Sequence, residues 1–275
     1  MSADPRAVLT RPAPPPDVTV AYGDHPEQLA DLRRPAVGGP ARRLVVVVHG
    51  GFWRAEYDRG HTGPMAAALA ALGHPVAQVE YRRTGQPDGG WPNTLTDVLA
   101  GVAALPGLAA AALPGLVAPA PPILVGHSAG GHLALYVAAH APATVGGVLA
   151  LAPVADLAVA YRLDLDGGAV AALLGGGPAE FPDRYAATDP SAFVAIQART
   201  VVMHGALDRQ VPVAMSRSWV AAAQGAGTPA TLIELPECEH FGLIAPDSAA
   251  WPQVVGALRS LHDDLPTIDA ASPSR

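Results

Sequence analysis

The sequence predicts an α/β fold in which helices cover both faces of a mostly parallel central sheet. Three observations lead to this prediction. Apolar, β-branched runs alternate with helix-like segments along most of the chain, as they do where crossover helices connect parallel strands. The run LVVVVHGG at 44–51 is apolar until its last three residues, which is typical of a strand buried on both faces. A chain of 275 residues, 50% of them hydrophobic, is long enough for one large core.

The predicted elements follow one another in this alternating order. The first helix, 63–73, has Pro64 in its first turn and Gly73 at its end, and the second begins at Asn93 or Thr94, either of which can cap it. The predicted strands are 44–51, 74–81, 122–126, 145–154, 200–205 and 230–237. The predicted helices are 63–73, 94–105, 128–141, 212–224 and 251–262.

A single domain is expected between residues 18 and 265. Residues 1–17, rich in proline and alanine, are expected to be disordered or loosely packed, and residues 266–275 to form a flexible tail. The segment 156–190 breaks the alternation with short helical patches separated by glycines, which predicts a small cap over the edge of the sheet. An ordinary helix followed by a long loop is the alternative for this segment.

Charge and composition argue against several classes of function. The net charge is -7, so a nucleic-acid surface and a polybasic membrane anchor are not expected. All 17 basic residues are arginine, which excludes a Walker-type phosphate loop, a pyridoxal Schiff base and a Ser-Lys dyad. The one cysteine, Cys238, cannot form an internal disulfide. With neither a signal peptide nor an apolar run of membrane-spanning length recognised, the protein is expected to be cytoplasmic, as a monomer or homodimer.

The stretch GHSAG at 126–130 fits the pattern G-x-S-x-G at a predicted strand-to-helix turn. In that context the serine lies on a sharp, strained turn, and the glycines two places away remove side chains that would collide there. The hydroxyl of Ser128 is then exposed at the carboxyl edge of the sheet, beside a helix N-terminus that favours negative charge. Ser128 is therefore predicted to be a nucleophile, the alternative being a serine that only caps the helix.

A serine nucleophile needs a general base, and the base needs an acid that orients it. His240 is predicted as the base because it lies just past the last predicted strand, at the same edge of the sheet; the alternative is a surface-loop histidine. Asp208, in the loop after the penultimate strand, is predicted as the acid, with Asp156 as its rival. The other histidines after the serine lie on predicted helices or in a buried strand: His132, His140, His204 and His262.

Backbone N–H groups near the serine are predicted to form an oxyanion hole. Ala129, directly after the nucleophile, is expected to supply one of them. The other is expected from HGGFW at 49–53, where the sequence leaves open whether Gly51 or Phe52 is the donor. The alternative for this loop is an ordinary Gly-Gly turn, and His49 is expected to stabilise it.

No metal site or cofactor site is predicted. His49, Asp58 and His61 lie near one another in the sequence, but their spacing fits no recognised helical zinc motif. No G-x-G-x-x-G pattern follows a predicted strand, so a dinucleotide cofactor is not expected either.

From about residue 18 onward the chain resembles the α/β-hydrolases and, more narrowly, the esterase and kynurenine formamidase (arylformamidase) group. The resemblance rests on VAYGDHPEQLADLRRP at 20–35, HGGFW at 49–53, EYRR at 80–83, GGWPNTLTDV at 89–98, GHSAGGHLA at 126–134, HGALDRQVP at 204–212 and CEHFGL at 238–243. It implies an α/β-hydrolase fold and a triad of Ser128, His240 and Asp208. Glu80 stands where the formamidases usually carry asparagine.

The function expected from these residues is cofactor-independent hydrolysis of small carboxylic esters or aryl formamides through an acyl-enzyme. A substrate pocket is expected around Trp53, Tyr81, Trp91 and His127, although aromatic side chains of this kind often belong to the core instead. Two alternatives keep the fold and change the function. One is a biosynthetic acyltransferase or thioesterase with the same triad, and the other is a non-catalytic protein that binds a small ligand.

Overall fold

The computed structural model describes residues 5–262 and contains one eight-stranded sheet. In chain order the strands are β1 (Val18–Ala21), β2 (Leu29–Arg33), β3 (Val45–Val48), β4 (Val76–Val79), β5 (Ile123–His127), β6 (Gly147–Leu151), β7 (Thr200–Gly205) and β8 (Ala230–Leu235). Their order across the sheet is β1-β2-β4-β3-β5-β6-β7-β8. The strands β3 to β8 pair in parallel, whereas β1 and β2 form an antiparallel edge that joins the sheet at β4.

Helices connect the parallel strands and cover both faces of the sheet, which confirms the predicted fold class. The α-helices are α1 (Gly63–Ala71), α2 (Asn93–Ala112), α3 (Ala129–His140), α4 (Leu157–Arg162), α5 (Ala169–Leu174), α6 (Pro182–Thr188), α7 (Val213–Gly225) and α8 (Trp251–His262). Short 3-10 helices span Pro5–Thr10, Arg59–Thr62, Pro142–Thr144, Pro190–Ala192 and Phe241–Ile244.

The central strands are buried on both faces. Val46 and Val48 belong to one hydrophobic cluster and Val45 and Val47 to another, and all four side chains are 0% exposed. Because successive side chains of a strand point to opposite faces, these two clusters lie on the two sides of the sheet. This is the burial that the uninterrupted β-branched run predicted.

The antiparallel edge was not among the predicted strands. In β1 the side chains alternate between half-buried and exposed, and β2 carries Asp31 and Arg33 among its five residues. Such short strands of mixed composition give a weak periodic signal. Their pairing is decided by the neighbouring β4, whose residues hydrogen-bond with β2 in register from Ala30–Val79 to Arg33–Val76.

The longest helix, α2, corrects the expectation that no run approaches membrane-spanning length. Its 20 residues have a mean hydropathy of 1.6 over an 18-residue window, so that by length and composition alone it passes as a candidate span. In the structure Leu95, Val98, Val102 and Leu105 are each 0% exposed, and the helix packs on α3 and β4. These four side chains therefore belong to the core of the domain, in which 39% of the window is buried.

Two segments bear on the predicted boundaries. Residues 1–17 were expected to be disordered or loosely packed, yet within the described part Pro5–Thr10 forms a 3-10 helix whose Val8 is 2% exposed and packs against the core. The segment 156–190 contains α4, α5 and α6 between β6 and β7. The predicted tail at 266–275 lies outside the described residues.

Candidate active site

Ser128 lies on the turn between β5 and α3, with φ of 56° and ψ of -118°, a conformation that L-residues rarely adopt. The flanking glycines are required by close backbone contacts. A Cβ atom on Gly126 would lie 2.2 Å from the carbonyl oxygen of Gly130, and one on Gly130 would lie 2.0 Å from that of Val48. The turn therefore has the strain and the glycine requirement expected of a nucleophile elbow.

His240 and Asp208 are joined by a hydrogen bond of 2.6 Å between Nδ1 and Oδ2. Asp208 lies in the loop after β7, where its Oδ1 also accepts the backbone N–H groups of Gln210 and Val211 at 2.7 and 2.9 Å. Burial opposes ionisation of this carboxyl, but hydrogen bonds from His204 and His240 hold its pKa well below its usual range. Asp208 is therefore an ionised acceptor that fixes the imidazole of His240.

His204 contributes to this arrangement in a way that the sequence reasoning missed. Its Nε2 lies 3.1 Å from Asp208 Oδ2 and 2.9 Å from the carbonyl oxygen of Val211, while its Nδ1 lies 2.7 Å from the hydroxyl of Ser216. Because Nε2 faces two acceptors, it carries the proton, and the Ser216 hydroxyl donates to Nδ1. His204 thus positions the carboxylate of Asp208, and its four-residue spacing from Asp208 across the turn at Gly205 was the available signal.

Ser128 and His240 line the same narrow cleft, together with Gly51, Phe52 and His127. The space in this cleft that is open to the centre of a water molecule is about 30 Å³. Within residues 5–262 the Ser128 hydroxyl makes no hydrogen bond to His240. Such bonds are often long in unliganded enzymes and tighten when substrate binds.

Other residues reach the cleft from distant parts of the chain. Arg6 and Leu9 come from the 3-10 helix at Pro5–Thr10, and Asp166 comes from the segment between α4 and α5. Arg54, at the end of the HGGFW loop, pairs with Asp166 at 2.6 Å and so connects that loop to this segment. Neither a periodic pattern nor a motif marked these residues, because their approach depends on how the two segments pack.

The HGGFW loop has a strained backbone beside the serine. Gly51, Phe52 and Trp53 have φ values of 98°, 47° and 58°. A Cβ on Gly50 would lie 3.1 Å from Cβ of Ser128, which shows how closely the loop approaches the elbow. Among the described residues, the N–H groups of Gly51, Phe52 and Ala129 donate no backbone hydrogen bond, so both candidates for the second oxyanion donor have a free N–H.

Trp53 and Tyr81 occupy positions that differ from the expected substrate pocket. Both are 0% exposed, and neither lines the cleft. The carbonyl oxygen of Trp53 accepts the backbone N–H of Thr84 at 2.7 Å, and the Tyr81 hydroxyl donates to the carbonyl oxygen of His49 at 2.9 Å. A loop with successive positive φ values needs such support, which comes here from a backbone hydrogen bond of Trp53 and from the side chain of Tyr81.

The other two predicted pocket residues take different positions. His127 lines the cleft, and its Nε2 donates to the carbonyl oxygen of His240 at 3.1 Å. Burial, and after it the nearby His240, lowers the pKa of His127 well below its usual value, so the ring is neutral. Trp91 is half-buried away from the cleft, and its backbone N–H donates to the carbonyl oxygen of Leu173 in α5 at 2.8 Å.

His49 and Glu80 form a buried pair behind the HGGFW loop. Their side chains are 1% and 0% exposed, and His49 Nε2 lies 2.8 Å from Glu80 Oε1. The other oxygen of Glu80 accepts the backbone N–H of Arg59 at 3.0 Å. Burial raises the pKa of Glu80, but pairing with His49 and Arg83 outweighs it and brings the pKa to about 2. His49 is thus anchored by a carboxylate, consistent with a stabilising role in the loop.

Asp156, the rival acid, performs a structural task instead. Its carboxylate caps α4 by accepting the backbone N–H of Val159 at 2.7 Å. Cys238 is a free, buried thiol. In the part of the chain that the structure describes, no group of three or more His, Cys, Asp or Glu side chains could hold a metal ion.

Several solved structures similar to this chain are esterases, at identities low enough to show the fold alone. A truncated carbohydrate esterase from gut microbiota has a TM-score of 0.78 at 20% identity, with 91% of this chain and 99% of that chain covered. Esterase B from Lactobacillus rhamnosis, inhibited by a tributyrin phosphonate, has a TM-score of 0.75 at 19% identity, covering 94% and 89%. A thermophilic esterase from the planctomycete Thermogutta terrifontis with propionate bound has a TM-score of 0.70 at 20% identity, covering 88% and 92%.

No curated protein sequence matches the chain. The family model BD-FAE matches residues 30–222, which is more than half of the chain and includes the elbow, the HGGFW loop and Asp208. The protein therefore has the α/β-hydrolase fold and belongs to the BD-FAE family.

Proposed function

We propose that the protein is a serine hydrolase that cleaves small carboxylic esters, with Ser128 as nucleophile, His240 as general base and Asp208 as orienting acid. The observation that carries this proposal is the 2.6 Å hydrogen bond between Asp208 and His240 at the cleft that also contains Ser128. Ser128, His240 and Asp208 come from three separate loops and lie near the carboxyl ends of β5, β8 and β7, which supports these roles. Ligands bind at this edge of open parallel sheets.

The proposed reaction proceeds in two halves. Nε2 of His240 takes the proton of Ser128 as Oγ attacks the ester carbonyl, and the protonated imidazole then gives that proton to the leaving alkoxide. Water attacks the acyl-enzyme in the same way, which releases the acid and restores the serine. Asp208 holds the Nδ1 proton of His240, keeps the productive tautomer and stabilises the imidazolium that forms in each half.

The negative charge of the tetrahedral intermediate would be held by backbone N–H groups. Ala129 starts α3, so its N–H is free at a helix N-terminus, where the helix dipole also favours an anion. The second donor comes from Gly51 or Phe52 in the HGGFW loop. Since the loop is fixed from behind by Trp53, Tyr81 and the buried carboxylate of Glu80, its donors are preorganised before substrate arrives.

The narrow cleft favours a short acyl group. Its open space of about 30 Å³ leaves little room beyond the reacting carbonyl unless the 3-10 helix at Pro5–Thr10 moves. The propionate in the Thermogutta terrifontis esterase is a short acid of this kind. A formyl group is smaller still, and because the same steps would cleave an aryl formamide, that substrate is the finer alternative to be tested.

A parallel assay tests the proposal. Purified protein is offered p-nitrophenyl esters from acetate to octanoate and N-formylkynurenine, and is labelled with a fluorophosphonate. We expect fastest turnover with acetate or propionate, and labelling that maps to Ser128 and is lost in Ser128→Ala. The matched control is Ser218→Ala, which removes an exposed hydroxyl on α7 from a position that does not line the cleft. Turnover that persists in Ser128→Ala would contradict the assignment, and preference for the formamide would replace the ester as substrate.

A further inference from the structure

A second concave site lies at the opposite end of the sheet. We call it the amino-end groove, because Arg42 and Arg43 lie just before β3 and His74 lies just before β4. Arg259 and His262 line the groove from the last turn of α8. Its open space, measured as for the cleft, is about 590 Å³. The cleft that contains Ser128 lies at the carboxyl ends of the same parallel strands, so the two sites are at opposite ends of the strands.

Among residues 5–262, the charged side chains that line the amino-end groove are all arginines. In this part of the chain no carboxylate lines the groove, and Arg42, Arg43 and Arg259 form no ion pair. Several arginines elsewhere pair with carboxylates, as Arg59 does with Asp31 at 2.7 Å, whereas Arg33 and Arg184 bond to carbonyl oxygens instead. Like charges that face one cavity repel each other, and an anion in the cavity removes that repulsion.

The groove also contains buried nitrogen atoms that have no hydrogen-bond partner. These are Nδ1 of His74, Nε2 of His262 and Nε of Arg43. The His74 side chain is only 4% exposed, and its ring centroid lies 4.7 Å from that of His262. Burial and the neighbouring cationic groups lower the pKa of both histidines to about 4. Nε of Arg43 is always a donor, and a buried donor without an acceptor is costly. Each neutral histidine ring has one N–H, and a protonated ring, which an oxyanion would favour, has two.

We propose that the amino-end groove binds the phosphate group of a small soluble molecule. Guanidinium groups present paired N–H donors that match the oxygens of phosphate, and the rings of His74 and His262 line the same groove. Three arginines favour a dianion over a singly charged carboxylate, because the attraction grows with the charge of the ligand. This proposal is independent of the esterase chemistry.

Titration of the full-length protein with inorganic phosphate tests the proposal. At constant ionic strength, we expect saturable changes in the ring NMR signals of His74 and His262 and an upward shift of the pH at which they titrate. Acetate and chloride should produce neither change. An equal response to acetate, or no response to phosphate, would overturn the proposal. Binding to vesicles of phosphatidylcholine and phosphatidylglycerol without a response to free phosphate would also overturn it, in favour of a lipid surface.

Two variants locate the binding. Arg43→Gln and Arg259→Gln should each weaken phosphate binding about tenfold, the loss expected for one charge-assisted hydrogen bond. Arg259 is exposed, so its replacement spares the core if Arg43→Gln fails to fold. Arg162→Gln, an exposed arginine on α4, is the charge-matched control and should bind phosphate as the wild type does. Equal weakening in the control, or none in Arg259→Gln, would show that phosphate does not bind in the groove.

Discussion

The charged side chains at the two ends of the parallel sheet differ in the hydrogen-bond partners that they have. At the carboxyl ends, the carboxylate of Asp208 accepts from two imidazoles and two backbone N–H groups, and that of Glu80 is held by His49 and a backbone N–H. At the amino ends, Arg43 has an unpartnered Nε and His74 an unpartnered Nδ1. One end has its charges satisfied by the protein itself, and the other presents donors without acceptors.

The difference follows from what each end has to do. A catalytic carboxylate must be held in one place before the substrate arrives, so its partners are built into the fold. At the other end, the proposed phosphate would supply the counter-charge that Arg42, Arg43 and Arg259 lack among residues 5–262. Part of the cationic character has a local origin, because Arg259 and His262 lie in the last turn of α8, where the helix dipole favours positive charge.

The largest expected effect is on catalysis. Asp208→Asn should lower kcat about 10⁴-fold, because an amide at this position favours the wrong tautomer of His240. Phosphate binding at the amino-end groove should stay unchanged, which separates the two ends of the sheet. Steady-state kinetics with p-nitrophenyl acetate measures the effect. Asp156→Asn is the control and should keep kcat close to the wild-type value, since that residue caps α4; the opposite ranking would reassign the acid.

The second effect is on stability at the catalytic end. Glu80→Gln should lower the free energy of unfolding by about 3 to 5 kcal/mol, because it removes a buried carboxylate that pairs with Arg83 and is hydrogen-bonded to His49 and to the backbone of Arg59. Urea unfolding at neutral pH measures it. Asp31→Asn, which removes a half-buried carboxylate from the same Arg59, should cost less. Similar losses in both variants would mean that the carboxylate of Glu80 stabilises the fold no more than the carboxylate of Asp31 does.

The carboxylate of Glu80 also sets a pH window. The pKa of Glu80 is about 2 in the folded protein, below its ordinary value of 4.5, so the unfolded chain binds the extra proton between these values. Its stabilising contribution is therefore complete above about pH 4.5 and is lost as the pH falls toward 2. The acid limb of the stability curve should be shallower in Glu80→Gln than in the wild type, and a limb of unchanged slope would contradict the lowered pKa.

A smaller effect is expected at the amino-end groove. The pKa of His74 is lowered from 6.5 to about 4, so the unfolded chain takes up a proton in this range while the folded protein does not. The free energy of unfolding therefore decreases as the pH is lowered from about 6.5 to about 4. His74→Gln should reduce the slope of this decrease by up to about 1.4 kcal/mol per pH unit. Phosphate should reduce the acid loss more in the wild type than in the variant. Identical phosphate effects would remove His74 from the site.

The smallest effect concerns acyl-chain length. Leu9 lines the cleft from the 3-10 helix at Pro5–Thr10, and Leu9→Ala should raise the kcat/KM for butyrate relative to acetate by less than about tenfold. Thr10→Ala, an exposed position on the same helix that does not line the cleft, should leave the ratio unchanged. A ratio that moves equally in both variants would mean that the helix does not limit the cleft.

The elements that local sequence patterns predicted are those whose structure depends on residues close together in the chain. Strands such as β3 and β5 are buried on both faces and therefore have uninterrupted apolar runs, and the glycines around Ser128 are required by contacts within one turn. The positions of Asp208 and His240 followed from topology, because the carboxyl ends of parallel strands meet at one edge. Of the contacts in the site, the hydrogen bond between Asp208 and His240 therefore depended least on how distant segments pack together.

What local patterns missed depends on contacts between distant segments. Trp53 and Tyr81 looked like pocket residues, but the packing of the HGGFW loop turned them into its buried supports. The 3-10 helix at Pro5–Thr10 reaches the cleft only because Val8 finds a hydrophobic site on the core. Composition alone marked that segment as loose, since proline and alanine carry no information about what they pack against.

The sequence by itself determined the fold class, the elbow and the residues that are expected to pass a proton, because each is encoded within one strand, one turn or the order of the strands. Only the tertiary structure decided which side chains line the cleft, which support its loops, and that Arg43 and His74 share a groove with Arg259 and His262. The physical reason is that such neighbours are brought together by burial of apolar surface, which fixes distances between segments without leaving a local pattern in either of them.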